Sequence, residues 1–163
     1  MRGELFCGEP QAAAFPLESF DRVGMFDVLA HLAQPRETLR AAAALLKPGG
    51  AFVLSTTNED WPLVPAFHWL FRAAPEASAR LRDEMYEGQH YCYFGSGNVG
   101  TLLDSAGLRL ERWEPLLPLS ARFFVHQYGH ARRLALLFMG RVDRWIGSSR
   151  KMMVLARKAR TGD

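Results

Sequence analysis

The sequence predicts an α/β fold with a mostly parallel sheet, and a strand, helix and strand read in succession from Phe20 to Asn58 carry that prediction. Phe20 to Phe26 has the length and apolar content of a buried strand, and Ala51 to Thr56 has the same character. A helical segment separates them. Two strands joined by a crossover helix nearly always pair in parallel with a right-handed connection, so we expect these two strands to lie side by side.

The crossover helix is predicted to begin near Pro35, because proline suits the first helical turn and Glu37 places a negative charge at the helix start. Four apolar residues at helical spacing form its inward face: Leu39, Ala42, Ala43 and Leu46. The helix is predicted to end at Lys47-Pro48-Gly49-Gly50, since proline cannot propagate it and the two glycines permit a sharp turn. The chain then enters the strand at Ala51.

The other elements follow from shorter signals. Pro62 and Pro65 interrupt the aromatic stretch Trp61 to Phe71, which predicts a loop with a helical second half. The remaining predicted elements are a strand end at Leu5 to Cys7, a helix in Pro75 to Glu87, a helix at Asn98 to Ala106, a strand at Leu108 to Trp113, a helix at about Phe123 to Ile146 that bends or breaks near Gly129 or Gly140, and a last strand at Met152 to Ala156.

Composition limits the class of protein. The 163 residues fit one domain, 1–163, and 48% hydrophobic with 23% charged residues is ordinary globular composition. No long apolar window predicts a membrane span, and the first residues do not read as a secretory signal, so we expect a cytoplasmic protein. Two distant cysteines argue against a disulfide framework and a zinc site. The formal charge of +3 is mild, and we expect no nucleic-acid partner.

Basic residues gather only near the C-terminus. The cluster runs from Arg122 to Arg160, and it could contact phosphates or anionic lipid as a peripheral membrane surface. The same residues are interleaved with Leu134, Phe138 and Trp145, and this pattern favours the solvated face of an amphipathic helix.

Gly95-Ser96-Gly97-Asn98-Val99-Gly100 spells the dinucleotide-binding fingerprint and opens a predicted helix. The segment before it, Tyr91 to Phe94, is a short aromatic candidate strand, and Glu111 follows too closely to serve as the acidic partner of that motif. Nucleotide binding through Gly95 to Gly100 is therefore the lesser alternative. We favour a helix start that Ser96 or Asn98 caps.

The run FDRVGMFDVLAHLAQPRETLRAAAALLKPGGAFVLSTTN, from Phe20 to Asn58, resembles the middle of a class I S-adenosylmethionine-dependent methyltransferase, and Lys47-Pro48-Gly49-Gly50 is its most recognisable feature. Gly88 to Phe94 with Leu102 to Leu108 is similar to the branch that includes ubiquinone-pathway O-methyltransferases. The resemblance implies a Rossmann-like sheet whose last strand, Met152 to Lys158, runs antiparallel at the sheet edge. It also implies S-adenosylmethionine as cofactor and methyl transfer to oxygen of a small-molecule or lipid-like acceptor.

The family's glycine-rich loop for the cofactor has no counterpart among the first nineteen residues. We therefore expect an N-terminally truncated methyltransferase domain, incomplete as given, with residues 59–90 as a lid or substrate insertion. The alternative is a non-catalytic, methyltransferase-like scaffold that binds a partner chain or associates with itself across an exposed sheet edge.

The resemblance also implies cofactor-binding residues. Glu9, followed by Pro10, stands where an acidic residue accepts a hydrogen bond from the adenine amino group. Met25 and Phe26 match positions that line the methionine part of the cofactor, at the carboxyl end of a strand where ligands of open parallel sheets bind. A surface glutamate and plain core packing are the alternatives.

Two histidines are the catalytic candidates. His31 follows Asp27 at the place where many relatives hold a metal with two acids and a histidine, but Ala30 replaces the second acid, so no metal site is expected. Because a histidine side chain titrates near neutrality, His31 could remove the proton of an acceptor hydroxyl. His90 would face the substrate region. Histidines satisfied by the backbone or by capping are the alternative for both.

Overall fold

The computed structural model describes residues 7–8, 12, 15–86, 90–116 and 130–160. Within these ranges the chain forms four strands, five α-helices and one short 3-10 helix. In chain order they are β1 (Phe20–Phe26), the 3-10 helix (Leu29–His31), α1 (Pro35–Leu45), β2 (Leu46–Thr57), α2 (Val64–Ala73), α3 (Ala79–Met85), α4 (Ser96–Asp104), β3 (Leu108–Pro115), α5 (His130–Ile146) and β4 (Lys151–Lys158).

The four strands form one sheet in the order β1-β2-β4-β3. β1 and β2 are parallel, with Met25 opposite Leu54 and Phe26 opposite Ser55, so the predicted parallel pair is confirmed. β4 is antiparallel to both of its neighbours, β2 and β3. The sheet is thus mostly parallel with an antiparallel last strand, as the sequence predicts.

The predicted place of the last strand is wrong. β4 does not lie at the sheet edge but between β2 and β3, with Leu54 opposite Val154 on one side and Leu110 opposite Ala156 on the other. The physical reason is the burial of β4: Met152, Val154 and Ala156 are fully buried, as suits an interior strand. Among the described strands, β3 and β1 form the two edges.

The Lys47-Pro48-Gly49-Gly50 turn lies inside β2 rather than before it. Phe20 pairs with Leu46 and Arg22 pairs with Ala51, so the β2 strand bulges outward over these four residues. Gly49 has a φ of +76°, a conformation that glycine adopts without strain. β2 therefore begins five residues earlier than predicted.

The core lies between the sheet and the two helices α1 and α4, which cover one of its faces. Leu39, Ala42 and Ala43 on α1 are buried there, which confirms the predicted inward face. Fully buried apolar side chains from the strands and α4 complete this core: Leu46, Phe52, Leu54, Val99, Leu103, Leu108, Met152, Val154 and Ala156. This layer holds the ends of β1 and β2 in place.

Several element predictions need correction. Tyr91 to Phe94 is not a strand, and α4 begins at Ser96, two residues before the predicted start. The helix α5 continues through the buried Gly140 without a break, while the predicted helix start at Phe123 and the strand end at Leu5 lie outside the described residues. None of the helices in the described ranges combines the length and apolar run needed to cross a bilayer.

Candidate functional site

A surface cavity of about 230 Å³ lies at the carboxyl ends of the parallel strands β1 and β2, beside the first residue of β4. Its lining consists of Asp27, Ala30, His31, Thr56, Thr57, His90 and Lys151. Open parallel sheets bind ligands outside the carboxyl ends of their strands, so the cavity has the position expected of a functional site.

The cavity brings together the two histidines that the sequence singles out. The ring centroids of His31 and His90 are 4.5 Å apart and the ring planes meet at 64°. The carbonyl oxygen of Ala30 accepts hydrogen bonds from the amides of Tyr91, at 2.8 Å, and Cys92, at 3.3 Å. Because these bonds anchor the two residues that directly follow His90, they hold His90 close to the 3-10 helix that ends at His31.

Asp27 is fixed at the mouth of the cavity, directly after β1. Its φ of +55° is unusual for a residue other than glycine, though aspartate tolerates it better than most residues do. Its amide donates to the carbonyl oxygen of Ser55 at 3.1 Å, and the Ser55 hydroxyl donates to its Oδ1 at 3.3 Å. Lys151 Nζ lies 2.6 Å from its Oδ2. The ion pair thus joins the end of β1 to the start of β4.

Two threonines of the cavity lining have buried hydroxyls. Thr56 is 1% exposed and Thr57 is 9% exposed, and within the described residues neither Oγ1 atom has a hydrogen-bond partner. A buried hydroxyl without a partner costs free energy, roughly 1–3 kcal/mol in proteins. A polar ligand in the cavity could provide the missing hydrogen bonds.

A chain of aromatic rings supports His90 from behind. The ring of Tyr93 lies 5.7 Å from that of His90 and 5.2 Å from that of Tyr86. The Tyr86 hydroxyl lies 2.6 Å from His68 Nε2, and the guanidinium of Arg150 sits 4.8 Å from the Tyr86 ring centroid. This packing restricts the orientation of His90.

In the glycine-rich segment that resembles a nucleotide loop, a carboxylate of the protein itself takes the place that a phosphate would need. Asp60 Oδ2 accepts hydrogen bonds from the Ser96 amide at 2.6 Å and the Ser96 hydroxyl at 2.7 Å, and the Gly95 amide donates to Asn98 Oδ1 at 2.8 Å. A β-carbon on Gly95 would lie 2.5 Å from Asp60 Oδ1. Because a carboxylate already caps α4, a phosphate would meet repulsion there.

A larger surface cavity, of about 380 Å³, lies at the opposite end of the sheet. It is lined by Arg109, Glu111, Arg157, Lys158, Ala159 and Arg160. Arg157 Nε and Glu111 Oε1 are 2.6 Å apart, and this partner lowers the pKa of the Glu111 carboxyl. Glu111 thus neutralises Arg157, and the other charged residues of that lining, Arg109, Lys158 and Arg160, are basic. The smaller cavity differs in holding the histidine pair.

Two of the four predicted cofactor residues, Met25 and Phe26, lie in different environments. Met25 is 7% exposed and belongs to the core, whereas Phe26 is 59% exposed with its ring against Gly24. Glu9 and Pro10 lie outside the described residues. Their roles stay predictions.

The sequence did not predict a place in the site for three of its lining residues, Thr56, Thr57 and Lys151. The signal for the two threonines was the polar run at the end of the apolar strand Ala51 to Thr56, since such residues fall at the binding edge of a parallel sheet. Lys151 carried no signal of its own, because its place beside Asp27 depends on the pairing of β4 with β2. In the described part of the chain no group of three metal-ligating side chains comes together.

Comparisons with known proteins agree with this geometry. Residues 5–112 match a family model described as a methyltransferase domain. A ubiquinone biosynthesis O-methyltransferase from Xanthomonas axonopodis pv. citri is 33% identical over 123 residues, which cover 73% of this chain and 51% of that protein. The chain thus spans about half the length of the curated relatives that it matches.

Solved structures share the fold. A complex of the Haloferax volcanii Trm112 methyltransferase activator with a methyltransferase aligns with a TM-score of 0.58, at 14% identity, over 96% of this chain and 61% of that one. An S-adenosylmethionine-dependent methyltransferase from Mesorhizobium loti aligns with a TM-score of 0.55, at 18% identity, over 93% of this chain and 67% of that one. At such identities the likeness concerns the fold alone.

Proposed function

The chain belongs to the class I methyltransferase family, and we propose that it takes part in S-adenosylmethionine-dependent O-methylation of a small or lipid-like acceptor bound beside His31 and His90. The observation that carries the proposal is the 4.5 Å approach of these two rings at the carboxyl ends of β1 and β2. The Xanthomonas relatives are named as O-methyltransferases, which supports oxygen as the accepting atom.

The chemistry requires a proton acceptor next to the acceptor hydroxyl. S-adenosylmethionine supplies a methyl group on a positively charged sulfur, and a phenolic oxygen attacks that carbon more readily when it loses its proton. One imidazole nitrogen of His31 or His90 would take the proton of the acceptor hydroxyl as that oxygen receives the methyl group the cofactor would supply. The second histidine orients the first.

Other residues of the cavity position the acceptor. The unpartnered Oγ1 atoms of Thr56 and Thr57 can hydrogen-bond to a second polar group of the acceptor, as a catechol or hydroxybenzoate would offer. The ion pair of Asp27 and Lys151 fixes the rim of the cavity. Most of the rate enhancement in such a site comes from positioning and preorganised electrostatics.

Phe26 fits the methionine end of the cofactor. Its ring is exposed and immediately precedes Asp27, which lines the cavity, so it can cover the methyl-bearing sulfur and exclude water from it. We place the lid over the acceptor in residues 59–90. There the buried Trp61 stacks on Phe67 at 5.7 Å, and Phe67 lies 6.2 Å from Phe71, which gives this segment an apolar cluster.

The proposal is tested by transfer of a radiolabelled methyl group from S-adenosylmethionine to a catechol acceptor by the full chain. His31→Ala and His90→Ala should lower kcat/KM, by about 10²-fold to 10⁴-fold for the residue that accepts the proton. Glu111→Gln is the control, because Glu111 lines the cavity at the opposite end of the sheet and does not line this one. Wild-type rates in both cavity variants would contradict the proposal.

The second candidate is a methyltransferase-like scaffold that binds a partner chain. It is favoured by the outer edge of β1, which pairs with no other strand in the described residues and so offers free backbone groups for strand addition. The Haloferax neighbour is itself held by an activator protein. Absence of transfer, together with a dimer in analytical ultracentrifugation that Val23→Pro on β1 abolishes, would support the scaffold over the enzyme.

A further inference from the structure

Helix α5 turns large apolar side chains toward solvent. Leu134 is 67% exposed, Phe138 is 65% exposed and Trp145 is 87% exposed. The sequence pattern predicts an amphipathic helix whose solvated face is basic and whose apolar residues lie on the other face. This interpretation is wrong for these three residues, because they lie on the solvated face themselves.

The exposed residues form a single stripe along the helix. At about 100° per residue, positions 134, 138, 141 and 145 fall within an arc of roughly 60°. Arg141, which is exposed, lies in the stripe, and the exposed Arg144 flanks it. At 17 residues the helix is about 25 Å long. We call Leu134, Phe138, Arg141 and Trp145, together with the flanking Arg144, the α5 stripe.

The charges of α5 are divided between its two faces. Asp143 is the only acidic residue in the α5 sequence, which carries four arginines. It lies on the opposite side of the helix from the stripe, is 8% exposed, and accepts a hydrogen bond from Trp61 Nε1. The described part of the stripe is therefore apolar and positively charged, without a compensating carboxylate on the helix.

We propose that the α5 stripe docks the protein on the surface of an anionic lipid bilayer. A helix that lies in the bilayer interface has this composition, with bulky apolar residues and tryptophan on the buried side and arginines beside them. The positive charge of Arg141 and Arg144 complements anionic headgroups. A second copy of this chain would bring the same arginines into mutual repulsion, which argues for lipid as the occupant.

The helix that carries the stripe is joined through its opposite face to the segment that follows β2. Besides the Trp61–Asp143 hydrogen bond, Asn58 Nδ2 donates to the carbonyl oxygen of Ser149 at 2.8 Å, so the end of β2 is joined to the segment between α5 and β4. β4 begins with Lys151, which lines the cavity. Docking through α5 would bring the carboxyl end of the sheet near the bilayer. The inference itself does not depend on methyl transfer.

The test is flotation of the full chain with large unilamellar vesicles, made either of phosphatidylcholine alone or of phosphatidylcholine and phosphatidylglycerol in a three-to-one ratio. Flotation separates lipid-bound protein from aggregates, which sediment. The chain should float with the anionic vesicles, less with the neutral ones, and less again as salt is raised. Equal recovery with both vesicles, or no flotation, would overturn the proposal.

Matched variants locate the contact. Leu134→Ser and Trp145→Ser should reduce flotation at least tenfold together. Leu17→Ser removes an equally exposed leucine, 70% exposed, that lies outside α5, and it should have no effect. Arg141→Gln with Arg144→Gln should weaken binding about fivefold per arginine, and the control pair Arg22→Gln with Arg36→Gln should not. Circular dichroism verifies that each variant is folded.

Two results would show that the stripe does not contact lipid. If the Leu134→Ser and Leu17→Ser variants float to the same extent, the lipid contact lies on another surface. If the wild-type chain is a dimer in analytical ultracentrifugation and Trp145→Ser makes it a monomer without changing flotation, the stripe binds a second copy. Either result overturns the proposal.

Discussion

Trp61 Nε1 donates a hydrogen bond to Asp143 Oδ1 over 3.0 Å, and this bond ties α5 to the segment that follows β2. Both side chains are buried, at 4% and 8% exposure. Burial raises the pKa of the Asp143 carboxyl above its ordinary value of 3.8, and the indole donor opposes that rise. Since the folded chain binds its proton more tightly than the unfolded chain, Asp143 lowers stability as pH rises through the range just above 3.8.

The first prediction concerns this pair. Trp61→Phe should lower the free energy of unfolding at pH 7 by about 1–3 kcal/mol, because it leaves a buried carboxylate without its donor. In an Asp143→Asn background the same change should cost less, about 0.5–1.5 kcal/mol, since the acceptor is then neutral. Urea unfolding of the four proteins measures the difference. Equal costs in both backgrounds would mean that Asp143 carries no charge at pH 7.

The second prediction concerns the backbone at Asp27. Asp27→Asn should change the free energy of unfolding by less than about 1 kcal/mol, because the Lys151 pair is half-exposed and asparagine tolerates the φ of +55°. Asp27→Val should cost a further 1–3 kcal/mol or so, since a β-branched residue is strained there. Asp21→Asn, which removes another exposed ion pair, controls for charge. If the asparagine and valine variants are equally stable, the backbone at this position leaves the positive φ without a cost, which would contradict the prediction.

The third prediction concerns the start of α4. Gly95→Ala should displace the Asp60 carboxylate, because the added carbon would lie 2.5 Å from its Oδ1. Asp60→Ala removes the same cap, and each change should cost about 1 kcal/mol of stability. If one cap is lost in both, the double variant should be no less stable than the less stable single variant. If the two stability costs measured by urea unfolding are fully additive in the double variant, Gly95 and Asp60 act independently, which would contradict the prediction.

The fold could be predicted where the residues of a single helix or strand determine its structure without contacts from distant parts of the chain. The bounds of β1 and the Pro35 start of α1 are local signals, and the structure confirms both. The predicted burial of β1 is wrong, because it is an edge strand in which Met25 alone is buried. The position of β4 between β2 and β3 could not be predicted in this way, because antiparallel insertion of a strand depends on pairing across more than ninety residues of chain.

The candidate site shows the same division. His31 was found because it stands in a recognisable stretch after β1, and its neighbour His90 because it resembles the substrate region of relatives. Lys151 lies 124 residues from Asp27 in sequence, and only the folded sheet brings their side chains to 2.6 Å. The exposure of Trp145 was missed for a related reason, since a helical pattern alone does not tell which face meets the core.

The central claim is that the acceptor binds beside the paired rings of His31 and His90, and histidine-ring NMR of the full chain tests it most directly. On titration with a catechol, the ring resonances of His31 and His90 should shift together in saturable fashion. Thr57→Val should weaken this response, because it removes a cavity hydroxyl. Unchanged rings at His31 and His90, with shifts at Arg109 or Arg157 side chains instead, would contradict the account and move the ligand to the opposite end of the sheet.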